Sequence, residues 1–156
     1  MRYLKQYQKL HNDGKFKGRS LKRYLPEIRE ILVKTDCASV LDYGCGKAVY
    51  HPEGWAKYDP AFTPYAHLPD KKYDAVISTD VLEHIPEDEL DEALENIFSR
   101  AKKVVYIAVS TKPAKKRLPT GENAHCTVRP REWWDRKITK CKTNQRIYIR
   151  YAESVS

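Results

Sequence analysis

The chain has little of what builds fibres, disulfide scaffolds or membrane spans. It has 6 glycines and 1 methionine in 156 residues, with no periodic glycine, which excludes collagen-like and Gly-rich low-complexity chains. Its four cysteines, Cys37, Cys45, Cys126 and Cys141, are scattered without a C-x-x-C pair. That reads as reduced thiols, not a disulfide framework or a zinc site. No run approaches the roughly 20 apolar residues that span a bilayer. The N-terminal stretch MRYLKQYQKLHNDGKFKGR is basic but has no apolar core, so no secretory signal is expected and a cytoplasmic location is. Without repeats or linkers, one domain over 1–156 is expected, with 1–35 as an N-terminal helical cap.

Charge is abundant and uneven. Lys and Arg number 29 against 21 Asp and Glu, a net +8. Basic residues gather at the N-terminus and in KPAKKR (112–117), acids in 83–95. Such a surface suits either simple solubility or a polyanionic partner such as nucleic acid.

Apolar periodicity predicts the elements. Leu4, Tyr7 and Leu10 mark a short helix, and His11–Gly18 reads as a polar loop. Ser20 is placed to cap a helix carrying Leu21, Leu25, Ile28, Ile31 and Leu32, with Pro26 tolerated only in its first turn. Strands are predicted near 39–43, 56–59, 74–79, 103–110 and 145–151. Helices are predicted to open at Pro86 and Pro130. This alternation predicts an α/β layered fold with a mainly parallel sheet, whose ligands bind outside the carboxyl ends of the strands.

The candidate site residues fall at those ends. VLDYGCGKA (40–48) is a buried strand running into Gly-x-Gly, with Asp42 at the strand end and Gly44, Cys45 and Gly46 in the turn. Asp59, in KYDPAF, ends the second strand and is followed by Pro60 and Phe62. Taken by itself, Asp59 suits a turn before Pro60. STDVLEHIP (78–86) follows the third strand, and LPTGENAHCTVRPREWW (118–134) the fourth.

Together these strings resemble class I S-adenosylmethionine-dependent methyltransferases, of a compact type found in phages and bacteria. The resemblance extends over most of the chain and implies a reduced Rossmann-like fold. It implies S-adenosyl-L-methionine as cofactor, held by Asp42, Gly44, Cys45, Gly46, Asp59, Pro60, Phe62, Thr79, Asp80 and Val81. It implies His84 and His125 as catalytic candidates, for proton removal or orientation of the acceptor. His84 and Glu83 also suit a loop-to-helix cap, and His125 a hydrogen-bonded loop fastening. The implied acceptor is a small molecule, carbohydrate, RNA or protein, since no D/N-P-P-Y/F motif or Pro-Cys nucleophile marks a DNA methylase. The other reading is a cofactor- or RNA-binding protein of this fold without transferase activity.

The chain departs from the family plan in length. Twelve residues separate Gly46 from Asp59 and thirteen separate Asp59 from Tyr73, too few for a helix and a returning strand. The first crossover helices and one edge strand are therefore expected to be missing. A sheet face so bared calls for a covering N-terminal helix or a homo-oligomer.

Overall fold

The computed structural model describes residues 4–12 and 19–152. Within them run α1 (Leu4–Asn12), α2 (Arg19–Lys34), β1 (Val40–Tyr43), β2 (Ala56–Tyr58), β3 (Tyr73–Thr79), α3 (Leu90–Arg100), β4 (Ala101–Ser110), α4 (Arg131–Thr139) and β5 (Arg146–Ala152). The five strands form one sheet in the order β2-β1-β3-β4-β5, every neighbouring pair parallel. This is an α/β architecture with an all-parallel sheet, consistent with a Rossmann-like fold. Among the described residues no helix is long and apolar enough to cross a membrane.

The near-continuous apolar runs of β1, β3 and β4 follow from burial on both faces. One face carries Leu41, Val76, Val105 and Ile107 and packs against Leu94 and Ile97 of α3 and Trp134 and Ile138 of α4. The other carries Val40, Ala75, Ile77 and Val104 and packs against Leu21, Ile28 and Ile31 of α2. The covering N-terminal helix is thus α2. Towards β5 the contact turns polar, where Glu27 accepts the Tyr106 hydroxyl (2.6 Å) and Arg150 Nε (2.8 Å).

Two sequence expectations about α2 are corrected. Ser20 lies inside the helix, not ahead of it, and its side chain bonds Asp80 beyond β3. Pro26 lies mid-helix, not in the first turn. Its residue is exposed, and burial of Leu21, Ile28 and Ile31 outweighs the roughly 3 kcal/mol that an interior proline costs. Of the expected His11–Gly18 loop, His11 and Asn12 close α1 and residues 13–18 lie outside the described residues.

The shortened connections are as the length predicts. No helix links β1 to β2, and residues 59–72 between β2 and β3 form one 3-10 turn, Thr63–Tyr65. This strap has to pass β1 to reach β3. Leu68 packs on the α3 side of the sheet, and Arg100 Nε donates to the Pro69 carbonyl at 2.7 Å.

Candidate functional site

The sheet order places β1 and β3 side by side, while their outgoing chains leave for opposite edges. Such a switch point opens a crevice at the strand carboxyl ends. The Gly-x-Gly turn leaves β1 there. Gly44 and Gly46 have φ of +89° and +59°, a region that glycine enters freely. A Cβ on Gly44 would lie 2.3 Å from Val81 Cγ2, so the turn after β1 and the turn after β3 meet at that point.

The turn is pinned to β2. The Gly44 and Cys45 amides both donate to the Tyr58 carbonyl, at 2.7 and 3.0 Å. Asp59 Oδ2 accepts the Gly46 amide at 2.9 Å, and its Oδ1 accepts the Ala61 amide at 2.9 Å. Asp59 is therefore both the acid at the end of β2 and the fastening of the Gly-rich turn. Both carboxylate oxygens thus act as acceptors for backbone amides at this corner. Phe62 packs against Tyr65, ring centroids 5.5 Å apart, and Pro60 stands beside it in the same strap. Cys45 is buried, which pushes its thiol up and leaves it inert as a nucleophile.

Asp42 is 1% exposed. Its Oδ2 is hydrogen-bonded to His51 Nε2, while Asp42 Oδ1 and His51 Nδ1 are buried without a hydrogen-bond partner among the described residues. Burial raises the Asp42 carboxyl above its ordinary range, and the His51 contact opposes this. His51 went unnoticed in the sequence. Its one signal was its position as the histidine of the short link after Gly46.

At the end of β3, Thr79 is buried and Asp80 turns the chain with φ +56°. Asp80 donates its amide to the Ala108 carbonyl at 2.8 Å, and its Oδ1 is buried without a partner. Glu83 is fully buried: Oε2 accepts the Ser110 amide at 2.7 Å, and Oε1 has no partner among the described residues. Burial and the Asp80 charge push the Glu83 carboxyl well above its usual range.

No family model, curated protein or solved structure matches this chain.

The structure brings His84 and His125 together, ring centroids 4.8 Å apart at 82°. His84 Nδ1 donates to the Ala124 carbonyl (2.8 Å), and His125 Nδ1 to the Lys112 carbonyl (2.6 Å). Burial lowers the His84 imidazole to about 3 and lowers His125 in the same direction. Both rings are neutral at physiological pH, and His84 is too weak a base to remove a proton there. Both fasten the loop after β4, and Tyr7 of α1 joins them, its hydroxyl 2.8 Å from the His84 carbonyl and 2.9 Å from that of Ala124. Asn123 completes the fastening by accepting the His125 amide at 2.9 Å.

Beyond this loop lies an open groove of about 410 Å³ with Lys112, Val128, Arg129, Arg131 and Glu132 on its walls. Arg129 is paired there with Glu87 at 2.9 Å. Trp134 packs in the core, while Trp133 lies at its margin. Among the described residues no group of three or more His, Cys, Asp or Glu side chains is placed to hold a metal ion.

Proposed function

We propose that the chain is a reduced class I S-adenosylmethionine-dependent methyltransferase. The observation that carries this reading is the contact of Asp59 with the Gly46 amide at the β1–β3 switch point. It joins the two cofactor motifs of the sequence at the place where parallel sheets bind nucleotides. The chemistry of the site fits the cofactor. Asp42 Oδ1 and Asp80 Oδ1 are buried acceptors in need of donors. S-adenosylmethionine has an ammonium, two ribose hydroxyls and an adenine amino group to donate. It brings a methyl group on a sulfonium, and the protein's part is to hold and align the reactants.

With both histidines neutral and fastened, catalysis in this reading rests on positioning, not on a histidine base. The acceptor approaches over the loop after β4. Titration calorimetry with S-adenosylmethionine and S-adenosylhomocysteine tests the proposal. Micromolar binding, weakened by Asp59→Ala, supports it, and binding of neither rejects it.

A second reading has its own observation in the groove bearing Lys112, Arg129 and Arg131. In that reading the chain binds RNA through its basic surface and transfers nothing. RNA affinity falling steeply with salt, with no methyl incorporated into that RNA, favours it.

A further inference from the structure

Three buried carboxylate oxygens without partners, Asp42 Oδ1, Asp80 Oδ1 and Glu83 Oε1, lie at or just beyond the carboxyl ends of β1 and β3. Asp80 and Glu83 are close enough to feel each other's charge. The groups around the pair supply little to balance them. From α2, the Ser20 hydroxyl bonds Asp80, the Arg23 guanidinium faces it, and the Tyr24 phenol feels both acids. From the loop after β4 comes His125, kept neutral by burial. From β4 comes the Ser110 amide, on the far oxygen of Glu83. At β1, Asp42 has His51 on one oxygen and the charge of Asp59 nearby. Arg23 is thus the one full cation acting on Asp80 among these groups, and its residue is exposed.

We propose that the site selects a ligand bearing positive charge at the Asp80–Glu83 pair, and so holds the sulfonium cofactor more tightly than the neutral thioether product. This rests on the methyltransferase reading. Charge is the property that the two nucleosides do not share at sulfur, whereas the ribose, adenine and amino-acid parts are common to both. A cation seated by the pair favours the ionised carboxyls. Because burial and the neighbouring Asp80 charge push Glu83 up, a cation seated there shifts the pair towards its ionised form.

The test is calorimetry of the full chain with S-adenosylmethionine and S-adenosylhomocysteine at pH 7.5, in two buffers of different ionisation enthalpy. S-adenosylmethionine is expected to bind about tenfold tighter or more, and to release a fraction of a proton that S-adenosylhomocysteine does not. Asp80→Asn keeps a residue that tolerates positive φ and should bring the affinity ratio close to one. Glu83→Gln should abolish the extra proton release. Equal or tighter binding of S-adenosylhomocysteine to the unmodified protein overturns the inference and leaves the methyltransferase reading standing. So does an affinity ratio that survives both substitutions. Binding of neither nucleoside removes both.

Discussion

Gly44 has no room for a side chain because Val81 occupies the space: a Cβ there would stand 2.3 Å from Val81 Cγ2. Gly44→Ala therefore meets two penalties, the contact and a φ of +89°. Together they should destabilise the protein by roughly 2–4 kcal/mol in urea unfolding. The double variant Gly44→Ala/Val81→Ala should recover the contact part and keep the backbone part. Additive effects of the two substitutions would show that the turns do not touch.

The buried Glu83 makes stability depend on pH from the alkaline side. Its folded carboxyl lies well above the unfolded one, so the folded protein holds the extra proton. That contribution is complete below the ordinary glutamate range and is lost as pH rises through the folded value. Asp42 and Asp80 are raised in the same direction. Denaturant midpoints measured from pH 5 to pH 9 should fall for the wild type and flatten for Glu83→Gln.

His84 acts from the acid side. Its imidazole, lowered from 6.5 to about 3, stays neutral in the fold while the unfolded chain takes up a proton. Stability is therefore complete above about 6.5 and declines as pH falls towards 3. His84→Gln should flatten that acid limb. With Glu83 intact the wild-type profile is a dome, since the two groups pull in opposite directions.

Tyr7 carries α1 onto the loop after β4 through one hydroxyl shared between two carbonyls. Tyr7→Phe keeps the ring and removes the hydroxyl that both carbonyls share, at a cost of about 1–2 kcal/mol. Amide exchange should quicken around residues 118–127 and stay unchanged in β3. Uniform quickening would mean that Tyr7 supports the whole fold and not this loop.

Much of this fold is legible in the chain because its signals are local. The Val76–Ile77 and Val104–Val109 runs, short and rich in β-branched residues, read as strands with both faces covered, and the gap from Gly46 to Asp59 leaves no space for a helix and a returning strand. Pro26 misleads because its cost is local while its compensation, the seating of Ile28 and Ile31 on β1 and β3, is tertiary. The site is legible in its positions more than in its roles. Asp42, Gly44, Asp59 and Asp80 do gather at one end of the sheet. That His51 would lie on Asp42, that Asp59 would hold Gly46, and that His84 would bond a carbonyl forty residues later depend on loop paths. Periodicity carries no information about those.

The β2 edge is short, with three residues in register on β1, while β4 and β5 are joined over seven. None of its residues is fully buried. In a native protein, units held by so brief a ladder open at lower free energy than the central strands, and they exchange their amides first. The Gly-rich turn hangs from Tyr58, and Asp59 follows directly, so one wall of the crevice belongs to this lightly held unit. The other wall, from Thr79 to Glu83, is anchored in the middle of the sheet. A ligand bridging the two walls would add cohesion to the weaker one, so its affinity should carry the ordering cost of that edge.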